Sequence, residues 1–367
     1  MKYPFGENCV EDIRKLIHGS EEVRRKTTIC LVLNRQSSLP DIAGNAKVKL
    51  LLRAMGERKA NDLIERFRET GCKVEVFDGD LHFIQTIFEH PPTITAGKPF
   101  MVYQAGTSGG GPAHRALMPT FCNLFEIPVM NSDAMSRALI WHKYHSTTVL
   151  AQAGISVPDT WMFSAKSGWH MEQRPPEGLK VIAKSTYEAY AVGVDESSAN
   201  IYTPDLDAEL AQRSEDLGQP ITIQEFIPGD EVFVPVLDIH GGYALAPQFL
   251  MVNDVPITGE KFLKFDDNIY PNCYTFTSYE ACSDVMSEQC KSNAVKAFRA
   301  LGMRGIGRMD FRVTPSGKTY LFDAAEVPGL SRQHAFNQAF IEEGFDEAEL
   351  IPAMVSINLA IHGFLPT

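Results

Sequence analysis

An apolar run rich in β-branched residues, Thr27 to Asn34 (TTICLVLN), is followed by mixed charged and apolar residues at helical spacing, Lys47 to Glu69, and then by a second short run, Lys73 to Phe77 (KVEVF). Two strands separated by a helix-length connection are too far apart in sequence for a tight hairpin. They favour parallel pairing, with the helix laid across the sheet. Phe100 to Tyr103 (FMVY) supplies a third strand, so the opening predicts an open parallel α/β unit. The first 25 residues predict an additional amphipathic helix.

The pattern then changes. After Gly106 a Gly-rich loop, TSGGGPAHRALMPTF, leads into a helix; a short strand follows at Ile127 to Met130 and a long helix at Ser136 to Gln152. Gly154 to Phe163 reads as extended, and Lys166 to Gly178 as a loop. Beyond Leu179 come KVIAKS, a helix over Asp205 to Leu217, ITIQEF and EVFVPVLD, with a hairpin at His240-Gly241-Gly242. A helix over Ser287 to Leu301, the strands GRMDFRVT and TYLFDAA joined at Pro315-Ser316-Gly317, and a helix over Asp346 to His362 complete the chain. The fold class expected is α/β with α+β character in the C-terminal part. Three units are expected, at 1–135, 136–228 and 229–367.

Composition narrows the function classes. With 34 Lys and Arg against 46 Asp and Glu, the formal charge of -12 disfavours sequence-independent attraction to nucleic acid or anionic membranes. A hydrophobic fraction of 44% with 22% charged residues excludes a mainly disordered chain. The N-terminus has no apolar run of signal-peptide length, and no stretch reaches the roughly 20 apolar residues that span a bilayer, so a cytoplasmic setting is expected. The cysteines are seven in number, scattered and without CxxC spacing, so reduced thiols are expected.

Asp310 and Asp323 lie thirteen residues apart across the tight turn. In an antiparallel pair they can sit side by side, either as a solvated surface pair or as hard oxygen ligands for one or two Mg²⁺ ions; the apolar neighbours and Arg308 on the same face fit a wet surface less well. Lys184 ends an apolar strand, where it can snorkel to solvent or reach phosphate oxygens. Gln224-Glu225-Phe226-Ile227, followed by Gly229 and Glu231, can be an ordinary strand turn or hold a purine, with Glu231 accepting from ribose hydroxyls. Trp141, Trp161 and Trp169 read as core or interface aromatics. Nothing matches a Walker loop, a GxSxG elbow or HExxH.

The order of these pieces resembles the D-alanine–D-alanine ligases of the ATP-grasp superfamily, most clearly from about Val129 to the C-terminus. LGMRGIGRMDFRV and YLFDAAEVPGLSRQHAF are similar to the family's G-x-x-G-x-x-R-x-D strand and its acid-x-Asn-x-x-Pro-Gly strand end. KSTYEAYAVGV resembles its K-P-x-x-E-G-S-S-V-G loop, keeping Lys184, Glu188, Val192 and Gly193 in step; QEFIPGDEVF resembles the adenine hinge. The resemblance implies an ATP-grasp fold and a ligase that transfers the γ-phosphoryl of ATP to a carboxylate and gives the acyl phosphate to an amine, forming an amide and releasing ADP and phosphate. It implies ATP contacts at Lys143, Lys184, Glu188, the Gln224 to Ile227 hinge, Glu231 and Lys264. Mg²⁺, or Mn²⁺ in its place, falls to Asp310 and Asp323. Arg308 and the backbone amide of Gly329 would stabilise the oxyanion. A homodimer and small-molecule carboxylate and amine substrates are also implied.

The departures are informative. Ala325 stands where the family has a metal-binding Asn, so water or Glu326 must supply the missing oxygen; period-two alternation turns Glu326 to the other face and favours water. NRQSSLPDI replaces the family opening that grips the donor's amino group, Ser108-Gly109-Gly110-Gly111 replaces its Gly-Glu-Asp-Gly loop, and Tyr190-Ala191 replaces its Ser-Ser pair. The expected donor is therefore bulkier than D-alanine and covered by Tyr190, in a specialised pathway rather than cell-wall synthesis. Cell-wall D-alanine–D-alanine ligation remains the alternative, as does a catalytically silent ATP-binding clamp. Ser331 and Arg332 are candidates for an anionic group on the amine substrate, and His334 is either a substrate contact or structural.

Overall fold

The computed structural model describes residues 9–38, 54–90, 99–106, 110–269, 274–279 and 284–365. The expected N-terminal helix is two, α1 (Cys9–Gly19) and α2 (Glu21–Lys26). They break at Ser20, whose hydroxyl turns back to the Ile17 carbonyl. Strand β1 (Thr28–Leu33), α3 (Glu57–Arg68), β2 (Lys73–Asp78), α4 (Gly79–Glu89) and β3 (Phe100–Gln104) then build a parallel sheet in the order β2-β1-β3. The β-α-β reading holds here, because the centre strand β1 is buried almost throughout and needs cover on both faces. Residues 47–53 of the expected helix, and Ser108 and Gly109, lie outside the described residues. Helix α4 had no counterpart among the sequence expectations. Helix α5 (Leu117–Leu124) follows the Gly-rich loop, and the expected strand at Ile127 to Met130 is a single bridge, Val129 to Val102.

The expected helix over Ser136 to Gln152 divides at Trp141-His142 into α6 (Ala134–Ile140) and α7 (Lys143–Gln152). Asp133 caps the first through the Ser136 amide at 2.8 Å. A second sheet, β5-β4-β8-β6-β7, is formed by β4 (Thr160–Ser164), β5 (Gly168–Trp169), β6 (Lys180–Ser185), β7 (Ala199–Ile201) and β8 (Ile221–Glu225), with α8 (Leu206–Leu217) packed on it.

The third sheet centres on β9 (Asp230–Leu237), which pairs with β10 (Tyr243–Ala244), β11 (Gln248–Val252) and β14 (Ile306–Val313); β12 (Val255–Pro256) and β13 (Tyr274–Ser278) pair with β11, and β15 (Thr319–Ala325) lies beyond β14. Helix α9 (Asp284–Ala300) lies against β9 and β14. Helices α10 (Ala335–Glu342) and α11 (Leu350–Ile361) end the chain. Helix α11 returns to the start: Ile13, Leu31 and Phe67 share a core with Met354 and Leu359, and Ser20 and Ser356 meet at 2.7 Å. No helix among the described residues is long and apolar enough to cross a membrane.

Candidate functional site

A cleft of about 1030 Å³ opens between the second and third sheets, with α3 as a further wall. This lies at the upper end of ligand-site volumes, which leaves room for a nucleotide and a second substrate together. The β14–β15 hairpin forms one side. Register places Asp310 directly opposite Asp323, with a bulge just after Asp310. Period-two alternation along RMDFR puts Arg308, Asp310 and Arg312 on one face. Arg308 donates Nε and Nη2 to the two oxygens of Asp310, each at 2.7 Å, and its guanidinium lies 4.3 Å from the centre of the Phe233 ring. Burial pushes the Asp310 carboxyl up to about 6, against the opposing pull of Arg308, and Asp323 adds to the rise. Two carboxylates side by side, Asp310 buried and Asp323 half-buried, are a costly arrangement that a divalent cation relieves, and their hard oxygens suit Mg²⁺. No group of three or more His, Cys, Asp or Glu side chains among the described residues has metal-binding geometry. A cation held by this pair would complete its shell from water or phosphate.

Arg312 was not singled out from sequence, although its spacing from Asp310 carried the signal. It pairs with Glu231 at 2.9 Å and donates to the Gly229 and Lys261 carbonyls at 2.9 and 2.8 Å. Glu231 is buried, and burial raises its carboxyl while Arg312 and Lys184 draw it back down. With Arg312 on its carboxylate, Glu231 is anchored at the cleft edge.

The opposite side comes from β6, β8 and the start of α7. The break at Trp141-His142 sets Lys143 in the first turn of α7, where its Nζ donates to the Glu188 carbonyl at 2.5 Å. Lys184 Nζ donates to Gln224 Oε1 at 2.8 Å and sits 4.6 Å from the Phe322 ring centre. Burial lowers its ammonium to about 8, with Asp323 pulling the other way. Ile182, Val194 and Phe226 form an apolar slot beside it, closed by Ala191 and Phe262, and Gln224, Glu225 and Ile227 line the same cleft. Tyr190 and Ala191 take the left-handed conformation, at φ 57 and 52, and leave Tyr190 exposed on the cleft.

Gly329 sits where the strand end turns into α10. A Cβ there would stand 2.6 Å from the His334 ring, so the chain passes this close only with glycine. His334 bonds through Nδ1 to the Ser331 hydroxyl and lies 3.0 Å from the Tyr274 hydroxyl through Nε2. Burial lowers its pKa to about 3, Lys59 and Arg308 contributing, so the ring is neutral near pH 7.

Two sequence candidates point elsewhere. Lys264 is held by Glu196, and Arg332 is exposed and donates to Glu347 at 2.7 Å; neither lines the cleft. In each case a nearby carboxylate captures the long cationic side chain. Glu326 is not free to act as a third ligand: it is buried and accepts from Arg137 Nε at 3.0 Å and Trp141 Nε1 at 3.1 Å. Trp141 is thereby part of the cleft, under the Arg115 guanidinium at 3.6 Å, whereas Trp169 is in the core as expected.

A family profile described as the D-ala D-ala ligase C-terminus matches residues 149–356. A D-alanine–D-alanine ligase from Desulfotalea psychrophila is 26% identical over 245 residues, 65% of this chain and 72% of the relative. One from Aromatoleum aromaticum is 28% identical over 239 residues, 63% of this chain and 71% of the relative. Among solved structures, the Bacillus anthracis D-alanine–D-alanine ligase complexed with ATP superposes with a TM-score of 0.67 at 14% identity, covering 92% of this chain and 98% of that one. The VanG D-Ala:D-Ser ligase of Enterococcus faecalis gives 0.63 at 16% identity, covering 90% and 99%. At these identities the structural likeness speaks for the fold, which is ATP-grasp.

Proposed function

The chain belongs to the D-ala D-ala ligase C-terminus family, and from that membership we propose that it is an ATP-dependent, ADP-forming ligase that joins a carboxylate to an amine in the cytoplasm, as a homodimer. The observation that carries the reading is the convergence in one cleft of Lys143, Lys184 and Arg308 with the facing carboxylates Asp310 and Asp323, beside the apolar slot at Phe226. We assign residues 1–135, 136–228 and 229–367 as its three units.

In this reading the slot takes the adenine, Glu231 faces the ribose, and Lys143 and Lys184 neutralise phosphate oxygens. Asp310 and Asp323 would hold Mg²⁺, which when bound would supply charge neutralisation on the transferring phosphoryl group. The substrate carboxylate takes the γ-phosphoryl and ADP departs. The amine nitrogen then attacks the acyl carbon, forming the C–N bond; phosphate leaves with the C–O bonding pair, and the amine gives up one proton to solvent. Arg308 and the Gly329 amide stabilise the tetrahedral oxyanion.

For the donor, we favour a carboxylate bulkier than D-alanine. Support comes from Tyr190 on the cleft and from the loss of the family's amino-gripping opening. The names of the relatives favour D-alanine itself. ADP release over a panel of acids and amines that includes D-alanine decides between them. MgATP should raise the melting temperature, since a ligand at 100 times its dissociation constant stabilises by about 2.7 kcal/mol. No shift at millimolar MgATP would overturn the nucleotide site, and a shift without ADP release from any pair would leave a silent clamp.

Lys184 makes nucleotide binding depend on pH. Its folded pKa of about 8 lies below the ordinary lysine value, so the native state holds fewer protons than the unfolded state above pH 8 and the cost of burying the ammonium is relieved as pH rises through that value. A polyphosphate restores the proton. MgATP binding should therefore take up close to one proton near pH 9, visible as a binding enthalpy that varies with the buffer's ionisation enthalpy, and this uptake should vanish in Lys184→Met. Equal uptake in both proteins would remove Lys184 from the phosphate site.

A further inference from the structure

Gly329 carries the freest backbone of the turn that leads into α10, yet only glycine fits there, since a Cβ would stand 2.6 Å from the His334 ring. The local chain restrains it on one side alone, where the Pro328 ring locks its own φ. The direction of the Gly329 amide therefore depends on what holds Leu330 and His334.

Two elements distant in sequence do so. On α3, helical spacing puts Lys59, Asp62, Leu63 and Arg66 along the cleft. Arg66 donates Nη1 to the Leu330 carbonyl and Nη2 to Asn337 Oδ1 at 3.2 Å. Asn337 is buried, and its Nδ2 donates to the Arg332 carbonyl at 3.4 Å. One planar guanidinium thus spans the turn, gripping Leu330 directly and Arg332 through Asn337. Strand β13 supplies the second hold. The Tyr274 hydroxyl lies 3.0 Å from His334 Nε2, and Nδ1 of the same ring meets the Ser331 hydroxyl. The ring that crowds Gly329 is fixed at both of its nitrogens.

We propose that Arg66 and Tyr274 are positioning residues for amide formation, holding the turn over residues 328–334 so that the Gly329 amide stays aimed at the oxyanion. This rests on the ligase reading, which gives that amide its task. Among the described residues, neither side chain hydrogen-bonds to Lys143, Lys184, Asp310 or Asp323, so the phosphoryl-transfer groups do not depend on them. Losing either hold lets the glycine swing, and a donor misplaced by about 1 Å forfeits much of its stabilisation of the tetrahedral intermediate. The acyl phosphate still forms, and water then competes for it. The water oxygen bonds to the acyl carbon, phosphate leaves with the C–O bonding pair and one proton, the other proton goes to solvent, and the acid is regenerated.

The test counts amide and ADP separately, with the full chain, MgATP and the acid–amine pair that turns over fastest. The wild type should release them in equal amounts. In Arg66→Met and in Tyr274→Phe, amide formation should fall by about 10–100-fold while ADP release falls far less, with KM for ATP, acid and amine nearly unchanged. Arg66→Lys should recover part of the coupling, because an ammonium reaches one acceptor where the guanidinium reaches two. Tyr274→Phe removes only a hydroxyl, and melting curves check that each variant folds. Equal losses of amide and ADP in both variants would make the two residues structural and overturn the inference. A defect confined to KM would mark direct substrate contacts and overturn it as well. Unchanged coupling in both variants beside an active wild type would sink this inference alone, whereas a wild type that releases ADP and joins no pair would sink the ligase reading and this inference with it.

Discussion

Asp310→Asn should lower ADP release by about 10²–10³-fold at saturating MgATP and leave the fold intact. Asp310 faces Asp323 across the hairpin and shares both oxygens with Arg308. Asparagine removes one carboxylate charge from the site where the transferring phosphoryl must be neutralised, yet keeps the side chain's size and one acceptor for Arg308. Stability should change little at pH 7 because two effects oppose. The folded pKa of about 6 is above the ordinary aspartate value, so the native state binds the proton more tightly and loses stability as pH rises from about 4 to 6. Asparagine avoids that loss and forfeits the counter-charge to Arg308. Paired ADP-release and melting measurements check this. Wild-type turnover in the variant would leave Asp310 with only the task of holding Arg308.

Arg137→Met should destabilise the protein by about 3–5 kcal/mol, the cost of leaving one member of a buried pair uncompensated. Arg137 and Glu326 are 0% and 1% exposed and 3.0 Å apart. Arg137 also donates to Gln104 at the end of β3, and Trp141 donates to the same Glu326 oxygen. The network ties the parallel sheet, the α6–α7 break and the end of β15 together. The double variant Arg137→Met/Glu326→Leu should recover much of the stability, because two charges are removed together and the apolar residues can pack. Chemical denaturation of wild type, single and double variants measures the coupling. A single-variant loss below about 1 kcal/mol would show that water reaches Glu326 and solvates it.

Much of the site's floor was legible as local pattern. The GRMDFRVT and TYLFDAA strands and their Pro-Ser-Gly turn are adjacent in sequence, so their antiparallel pairing was legible; unbroken alternation from the turn would set Asp310 opposite Phe322, and the bulge after Asp310 is what brings Asp323 opposite it. The β-α-β opening was legible for a similar reason: the apolar run of β1 and the amphipathic spacing of α3 are local signals. Arg312 had the same signal and was passed over. Lys143 entered through the resemblance and Lys184 through its place at the end of an apolar strand, and their approach to the carboxylates depends on how two sheets face each other.

What only the tertiary structure decided concerns long side chains and long-range partners. Lysine and arginine reach several ångströms from the backbone, so their targets depend on which acid the fold brings near. Lys264 and Arg332 were captured by Glu196 and Glu347. Glu326 was turned from a possible metal ligand into the partner of Arg137, 189 residues away. Alternation along a strand fixes which face a residue occupies, and for Glu326 that local rule was enough to turn it away from the Asp323 face. The identity of the group that meets it there is a property of non-local packing, which no local pattern encodes.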